Sequence, residues 1–180
     1  MEKYKEITLL YNITEKLSAS LDPKEVAQLV VDEAKRLIKA DNLSVMLINE
    51  DTDMFEVIIG SGKKSWPMRG FKVGEGIAGS VVLTGKAEIV NHVHADPRYV
   101  ERANKISSLM CAPLKIKDKV IGVINISSEE PVRYTAEELK ILSALAFQAA
   151  AAIENARLYD QLKDTFLNTV NTLAETIEKR

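Results

Sequence analysis

Residues 108–128 read SLMCAPLKIKDKVIGVINISS, and this stretch decides the fold. Two apolar runs meet at the polar triplet of residues 117–119, which reads KDK. The second run, VIGVINI, is rich in β-branched residues, which favour strands. Two such runs on either side of a short polar turn predict a β-hairpin.

A second hairpin is predicted upstream, at residues 41–62, which read DNLSVMLINEDTDMFEVIIGSG. Its halves are joined by a short acidic turn. In its first half, Leu43, Val45 and Leu47 stand at every second position, as residues on one face of a strand do. Hairpins of this kind imply an antiparallel sheet with helices packed on it, so the predicted fold class is α+β.

Amphipathic helices are predicted on both sides of the hairpins. Before them, Ile7, Ile13 and Leu17 belong to a helical stripe, and a second helix follows. After them, Thr135 and Glu138 have the spacing of a capping box, and a helical pattern without Gly or Pro runs to residue 180.

The last helix is longer than the core of one small domain requires. Its second half keeps a narrow apolar seam, and the seam consists of Tyr159, Leu162, Phe166, Val170, Leu173 and Ile177. Such a seam favours a partner helix, so we expect a homodimer through residues 1–20 and 136–180. The alternative is an ordinary helix that folds back on its own domain.

Residues 73–80 read VGEGIAGS and contain the spacing G-x-G-x-x-G. A dinucleotide site also needs a strand before the glycines and an acidic residue at the end of the next strand. Here Pro67 and Gly70 precede the glycines, and the next predicted strand ends in Asn91. We therefore expect a turn with close backbone packing instead.

Charge and cysteine content narrow the function classes. Lys plus Arg number 24 against 26 Asp plus Glu, so no basic surplus argues for binding nucleic acid. Cys111 is the only cysteine, which rules out an intramolecular disulfide and a cysteine zinc cluster. With no signal-peptide pattern and no apolar run long enough for a bilayer, we expect a cytoplasmic chain without membrane insertion.

Three segments together resemble the GAF domain family, in the order that the family has them. They are residues 74–100 (GEGIAGSVVLTGKAEIVNHVHADPRYV), 107–128 (SSLMCAPLKIKDKVIGVINISS) and 134–159 (YTAEELKILSALAFQAAAAIENARLY). The resemblance implies a six-stranded antiparallel sheet with helices on both faces and long N- and C-terminal helices. It further implies a signalling and dimerisation helix at 1–21, a GAF domain at 22–157 and a helical linker at 158–180.

The resemblance also implies a small-molecule pocket on the sheet face away from the first and last helices. Its expected walls are Ser44, Ile59, Ser61, Ile77, Ala78, His92, His94 and Tyr99. For the aliphatic positions, plain core packing explains the residue type equally well. The amides that begin the GIAG helix could accept an anionic group, and Trp66 is either a loop anchor or a lid.

The resemblance alone names neither a ligand nor a cofactor. GAF proteins bind cyclic nucleotides, bilins, haem or small metabolites, and Cys111 is expected to be a buried thiol rather than a bilin attachment site. His92 and His94, with Asp96, leave a haem or metal site open as an alternative. We expect Asp96 instead to cap a short helix over PRYVERAN.

The function that this reading implies is a non-catalytic sensory module. No nucleophile–base or carboxylate pair is evident, so no enzyme activity is expected. Ligand state would pass through dimeric terminal helices to an output domain after Arg180, and residues 166–180 (FLNTVNTLAETIEKR) resemble the first helix of HD-GYP domains. The alternative is a dimerisation scaffold that binds no ligand.

Overall fold

The computed structural model describes residues 2–62, 71–101 and 105–179, so Trp66 lies outside the described residues. The elements are, in chain order, α1 (Glu2–Ser18), α2 (Pro23–Leu37), β1 (Asn42–Asn49), β2 (Met54–Ser61), α3 (Gly76–Thr84), β3 (Glu88–Val90), a 3-10 turn (Val93–Ala95), β4 (Ser108–Ile116), β5 (Lys119–Ser128) and α4 (Ala136–Glu178). The α+β class, both hairpins and the long terminal helices are confirmed.

The strands form one antiparallel sheet in the order β2-β1-β5-β4-β3. The described residues therefore give five strands where six were expected. Residues 71–73 run beside the start of β2 through a single bridge from Met54 to Lys72. Gly74 then turns the chain away with φ of 90°, so this pairing is too short to make a strand.

Three helices cover one face of the sheet. Every second residue of β1, namely Leu43, Val45 and Leu47, belongs to a core built with α1, α2 and α4. The α4 side of this core contains Ala146, Ala149 and Ala150, whose small side chains let the helix approach the sheet closely. We call this the helix face.

The shorter α3 covers the opposite face, which we call the α3 face. Ile77 and Val81 of α3 pack there with Met46 of β1 and Val123 of β5. The glycines explain how α3 fits, because a Cβ atom on Gly79 would lie 2.5 Å from the carbonyl carbon of Gly74. The expected turn with close backbone packing is confirmed.

The helix α4 extends well beyond the sheet. The predicted capping box is present, since Thr135 accepts from the Glu138 N–H and Glu138 accepts from the Thr135 N–H. At 43 residues the helix is about 65 Å long, and every residue from 158 to 179 is exposed. Among the described helices, none is long and apolar enough to cross a membrane.

Candidate functional site

The candidate site lies on the α3 face, where the alternation of β1 places Asn42, Ser44 and Met46. Direct cross-strand partners share a face of an antiparallel sheet. Ser44 is opposite Asn125 of β5, Asn125 is opposite Cys111 of β4, and Cys111 is opposite Glu88 of β3. These four residues form one row across the sheet, beneath the loop and helix that cover it, and all but Cys111 are polar.

The apolar part of the site is a second core cluster, separate from that of the helix face. The sheet contributes Met46, Phe55, Leu109, Cys111 and Val123, and the covering segments contribute Ile77, Val81 and Val93. Ala78 and Tyr99 are partly buried against this cluster. Of the predicted wall residues, Ser44, Ile77, Ala78 and Tyr99 are thus brought to one face.

Two polar side chains on β1 are buried without partners. Asn42 is 1% exposed and Ser44 is 0% exposed. The Asn42 Oδ1 and Nδ2 atoms and the Ser44 Oγ atom have no hydrogen-bond partner among the described residues. Each such group costs about 1–3 kcal/mol while it stays unpaired, so this end of the α3 face is suited to receive a polar molecule.

Ile59 and Ser61 lie on the helix face, contrary to the expectation that they line the pocket. Phe55 and Val57 are opposite Ile48 and Met46, on the α3 face, but Val45 is opposite Ile59. The extra residue Ile58 makes a β-bulge that reverses the alternation. Ile59 consequently packs on the helix-face core, and Gly60 takes the place opposite Ser44.

The two histidines, expected among the pocket walls, are exposed and do not belong to the apolar cluster. Residues 93–95 form a 3-10 turn rather than an extended segment, and its Val93 is fully buried while His92 and His94 are exposed. The His94 ring meets the Tyr99 ring edge-on at 5.4 Å. Within the described ranges no group of three or more potential metal ligands occurs, so a metal ion held by several side chains around His92 and His94 gains no geometric support.

Arg98 links the loop that follows β3 to α3 and to β3 through polar contacts. Its guanidinium donates to both carboxylate oxygens of Asp96, at 3.0 and 2.8 Å, and to Ser80 Oγ of α3 at 2.9 Å. It also forms a 2.8 Å ion pair with Glu88 of β3. The hydrogen bonds and charges of Asp96 and Glu88 raise the pKa of Arg98, and the hydrogen bonds from Arg98 lower the pKa of the Asp96 carboxyl.

The helix expected over PRYVERAN is absent from its described part, residues 97–101, which form a turn and an irregular segment. Asp96 accepts from the Arg98 N–H at 2.9 Å, and the Tyr99 N–H donates to the Asp96 carbonyl at 3.0 Å. The carboxylate thus holds Arg98 in place instead of capping a helix.

A second link joins this loop to the residues that lead into α4. The Asn91 side chain accepts from the Tyr134 N–H at 2.9 Å and donates to the Tyr134 carbonyl at 3.1 Å. Ser108 Oγ of β4 lies 3.1 Å from the Asn91 carbonyl and 2.5 Å from the Val132 carbonyl, so its one proton is shared between these two acceptors. Tyr134 immediately precedes Thr135, the N-cap of α4, so the loop and α4 are mechanically connected.

Sequence reasoning missed Asn42, Asn125, Asn91 and Arg98. For the first two a signal existed, because Asn42 alternates with Ser44, and Asn125 alternates with the apolar residues around it. Which face Asn125 joins depends on the pairing of β1 with β5, two strands far apart in sequence. Asn91 and Arg98 lie in an irregular loop whose contacts no local pattern predicts.

A groove of about 420 Å³ lies between α1 and α2, outside the candidate site. Its lining alternates apolar side chains, such as Ile13 and Leu29, with the charged Lys16, Asp32 and Arg36. The groove is open and carries both signs of charge, and it shares no residue with the α3 face.

Comparisons with known proteins agree with this architecture. The model of the GAF domain matches residues 20–154. The Nif-specific regulatory protein of Azospirillum lipoferum is 24% identical over 153 residues, which are 78% of this chain and 24% of that protein. The chain thus spans about a quarter of this relative's length.

Two solved structures share the fold. The GAF domain of a phosphoenolpyruvate-protein phosphotransferase from Coxiella burnetii has a TM-score of 0.77 at 21% identity, covering 86% of this chain and 96% of that one. The free methionine-R-sulfoxide reductase of Neisseria meningitidis, solved with its substrate, has a TM-score of 0.74 at 19% identity, covering 84% and 89%. Fold and family match together show that the chain belongs to the GAF domain family.

Proposed function

We propose that the chain is a non-catalytic regulatory module of the cytoplasm that binds a small molecule on its α3 face. The state of that face passes to α4 and on to an output domain attached after residue 180. The double hydrogen bond between Asn91 and Tyr134 carries this proposal, because it joins the loop over the site to the start of α4. A ligand acts through such a link only if it binds two arrangements of the loop with different affinity.

The proposed site keeps Ser44, Ile77, Ala78 and Tyr99 and adds Asn42. We propose no catalysis, and the chemistry of the single thiol supports this. Cys111 is buried among apolar side chains, and this burial raises the pKa of its thiol, which opposes formation of the reactive thiolate.

The terminal helices are proposed to form a homodimer. The seam residues of α4 are exposed, among them Leu162, Phe166 and Leu173, and α1 exposes Tyr4 and Ile7. The two helices already contact each other, since Thr14 Oγ1 donates to Gln148 Oε1 at 2.9 Å. A second copy would cover both apolar surfaces at once. We place the domain boundaries at 21 and 157.

The output domain is proposed to follow residue 180. The Nif-specific relatives are regulators several times the length of this chain, and the last helix resembles the first helix of HD-GYP domains. Residues 158–180 would then be the linker that transmits a change in helix packing.

Multi-angle light scattering after size exclusion tests the dimer, which is the part of the proposal on which transmission depends. The wild type should have twice the mass of one chain, and Phe166→Glu should shift it toward the monomer. Asn168→Glu is the matched control, because residue 168 is about 200° around the helix from residue 166. A wild-type monomer, or equal mass changes in both variants, would refute transmission through paired helices.

A further inference from the structure

We infer that the α3 face takes a neutral ligand that presents an amide edge, meaning an adjacent hydrogen-bond donor and acceptor, to Asn42 and Ser44. The inference rests on the proposed function, since it names the chemistry of the small molecule that this site would bind.

The unpaired atoms of the site include both a hydrogen-bond donor and a hydrogen-bond acceptor. The Asn42 carboxamide offers an unpaired acceptor, Oδ1, together with an unpaired donor, Nδ2, and Ser44 Oγ can act in either role. The Asn42 side chain is also held in place, because it fills the space where Gly62 lacks a Cβ: an added Cβ would lie 2.1 Å from Oδ1. A fixed carboxamide of this kind is complementary to another amide edge.

Charge on this face argues against an ionised ligand. The direct partners of Asn42 and Ser44 on β5 are Ser127 and Asn125, which are uncharged. The first charged side chain along the Ser44 row is Glu88 on β3, about 14 Å away at three strand spacings. A carboxylate or phosphate bound at Ser44 would lose its hydration without meeting a described cation in that row.

The charges described around α3 and β3 do not supply a free cation either. Arg98 is shared between two carboxylates, Glu88 and Asp96. At the N-terminus of α3, whose amides could accept an anionic group, the N-cap residue is Glu75, which carries a negative charge itself. These charges make the site selective for a neutral molecule over the matching anion.

The apolar side chains of the same face indicate the chemistry of the rest of the ligand, beyond its amide. Met46 follows Ser44 by two residues on the α3 face, about 7 Å along β1. It belongs with Phe55 and Val123 to the apolar cluster. A small aromatic or aliphatic body attached to the amide would reach this cluster.

Matched pairs of small molecules test the inference on the full chain. The probes are benzamide against benzoate, and nicotinamide against nicotinate, titrated by ligand-observed NMR. We expect each amide to bind at least about ten times more tightly than its acid, and Ser44→Ala to weaken amide binding about tenfold. Equal binding of acid and amide, binding that Ser44→Ala leaves unchanged, or no binding of either amide overturns the inference.

A second test needs no ligand. Removing an unpaired buried hydroxyl relieves its cost, so Ser44→Ala should raise the melting temperature of the ligand-free chain by about 2–4 °C. Ser108→Ala is the control, because Ser108 is equally buried but its hydroxyl is paired with the backbone of Val132; this variant should lower the melting temperature. A decrease in both variants would mean that Ser44 is already satisfied, which overturns the inference.

Different results would refute the ligand-binding function and the inference of a neutral amide ligand. If the purified chain carries an anionic small molecule, or if the acids bind and the amides do not, the chain is still a ligand-binding module and only the neutral amide is wrong. If neither an adduct nor any probe is bound and Ser44→Ala lowers the melting temperature, the binding function fails as well.

Discussion

Asn91 and Tyr134 are 43 residues apart in sequence, yet the Asn91 side chain forms hydrogen bonds to both the N–H and the carbonyl of Tyr134. The carboxamide of Asn91 thereby pairs with the backbone of Tyr134 as a neighbouring strand would. Because Asn91 directly follows β3 and Tyr134 precedes α4, this pair connects the loop over the candidate site to the helix that leaves the domain.

Removal of the Asn91 carboxamide should loosen the start of α4. In Asn91→Ala the Tyr134 N–H and carbonyl lose their partners, which should cost about 1–3 kcal/mol of unfolding free energy. Hydrogen exchange of the α4 amides near residues 139–145 should become faster, as measured by mass spectrometry. Asn155→Ala, an exposed change on the same helix, is the control, and unchanged exchange in Asn91→Ala would refute the connection.

The ion pair at Asp96 predicts a pH dependence of stability. Arg98 lowers the pKa of Asp96 in the folded chain, so the folded state favours the ionised carboxylate. This contribution is present above the unfolded pKa of about 3.9 and is lost as the pH falls through the lower, folded pKa.

The variant Asp96→Asn isolates that contribution. Urea unfolding midpoints of the wild type should fall more steeply than those of Asp96→Asn as the pH falls below about 4, toward the lowered folded pKa of Asp96. At neutral pH the variant should be less stable by about 0.5–1.5 kcal/mol, a modest value because Arg98 is partly exposed to solvent. Parallel pH curves for the two proteins would contradict this account of the loop.

Gly79 is predicted to tolerate no side chain. A Cβ there would lie 2.5 to 2.8 Å from three backbone atoms of Gly74, and backbone cannot move aside as a flexible side chain can. Gly79→Ala should lower the unfolding free energy by about 1–3 kcal/mol. Leu83→Ala, at an exposed position of the same helix, should change it by less than half as much, and a similar loss in both would argue against the close packing.

Cys111 should be inert in the folded chain. It is fully buried, and its raised pKa disfavours the thiolate that reacts with alkylating reagents. We expect iodoacetamide to label Cys111 of the folded chain only as fast as the chain unfolds. This labelling should be many times slower than labelling of the chain unfolded in urea. Labelling of the folded chain at the rate of the unfolded chain would show that this part of the α3 face opens readily.

The elements that could be predicted from the sequence are those set by local chemistry. Both hairpins follow from apolar runs around polar turns, and α4 follows from its capping box and its uninterrupted helical pattern. The glycine segment could also be interpreted correctly, because its neighbours lack the context of a dinucleotide site.

The details of the site depended on long-range pairing. The bulge at Ile58 arises where β2 pairs with β1, and it moves Ile59 and Ser61 to the helix face although strict alternation places them with Phe55. The histidines were expected among the pocket walls, but burial of Val93 in a 3-10 turn leaves both exposed. Neither outcome has a signal in the local sequence.

Native mass spectrometry of the gently purified full chain tests the central claim most directly. We predict a dimer that carries one small-molecule adduct per protomer, which leaves on denaturation and has the mass of a neutral, amide-containing compound. A monomer would contradict signalling through paired helices. A dimer whose mass is only that of two chains would contradict the ligand-binding role and leave a dimerisation scaffold.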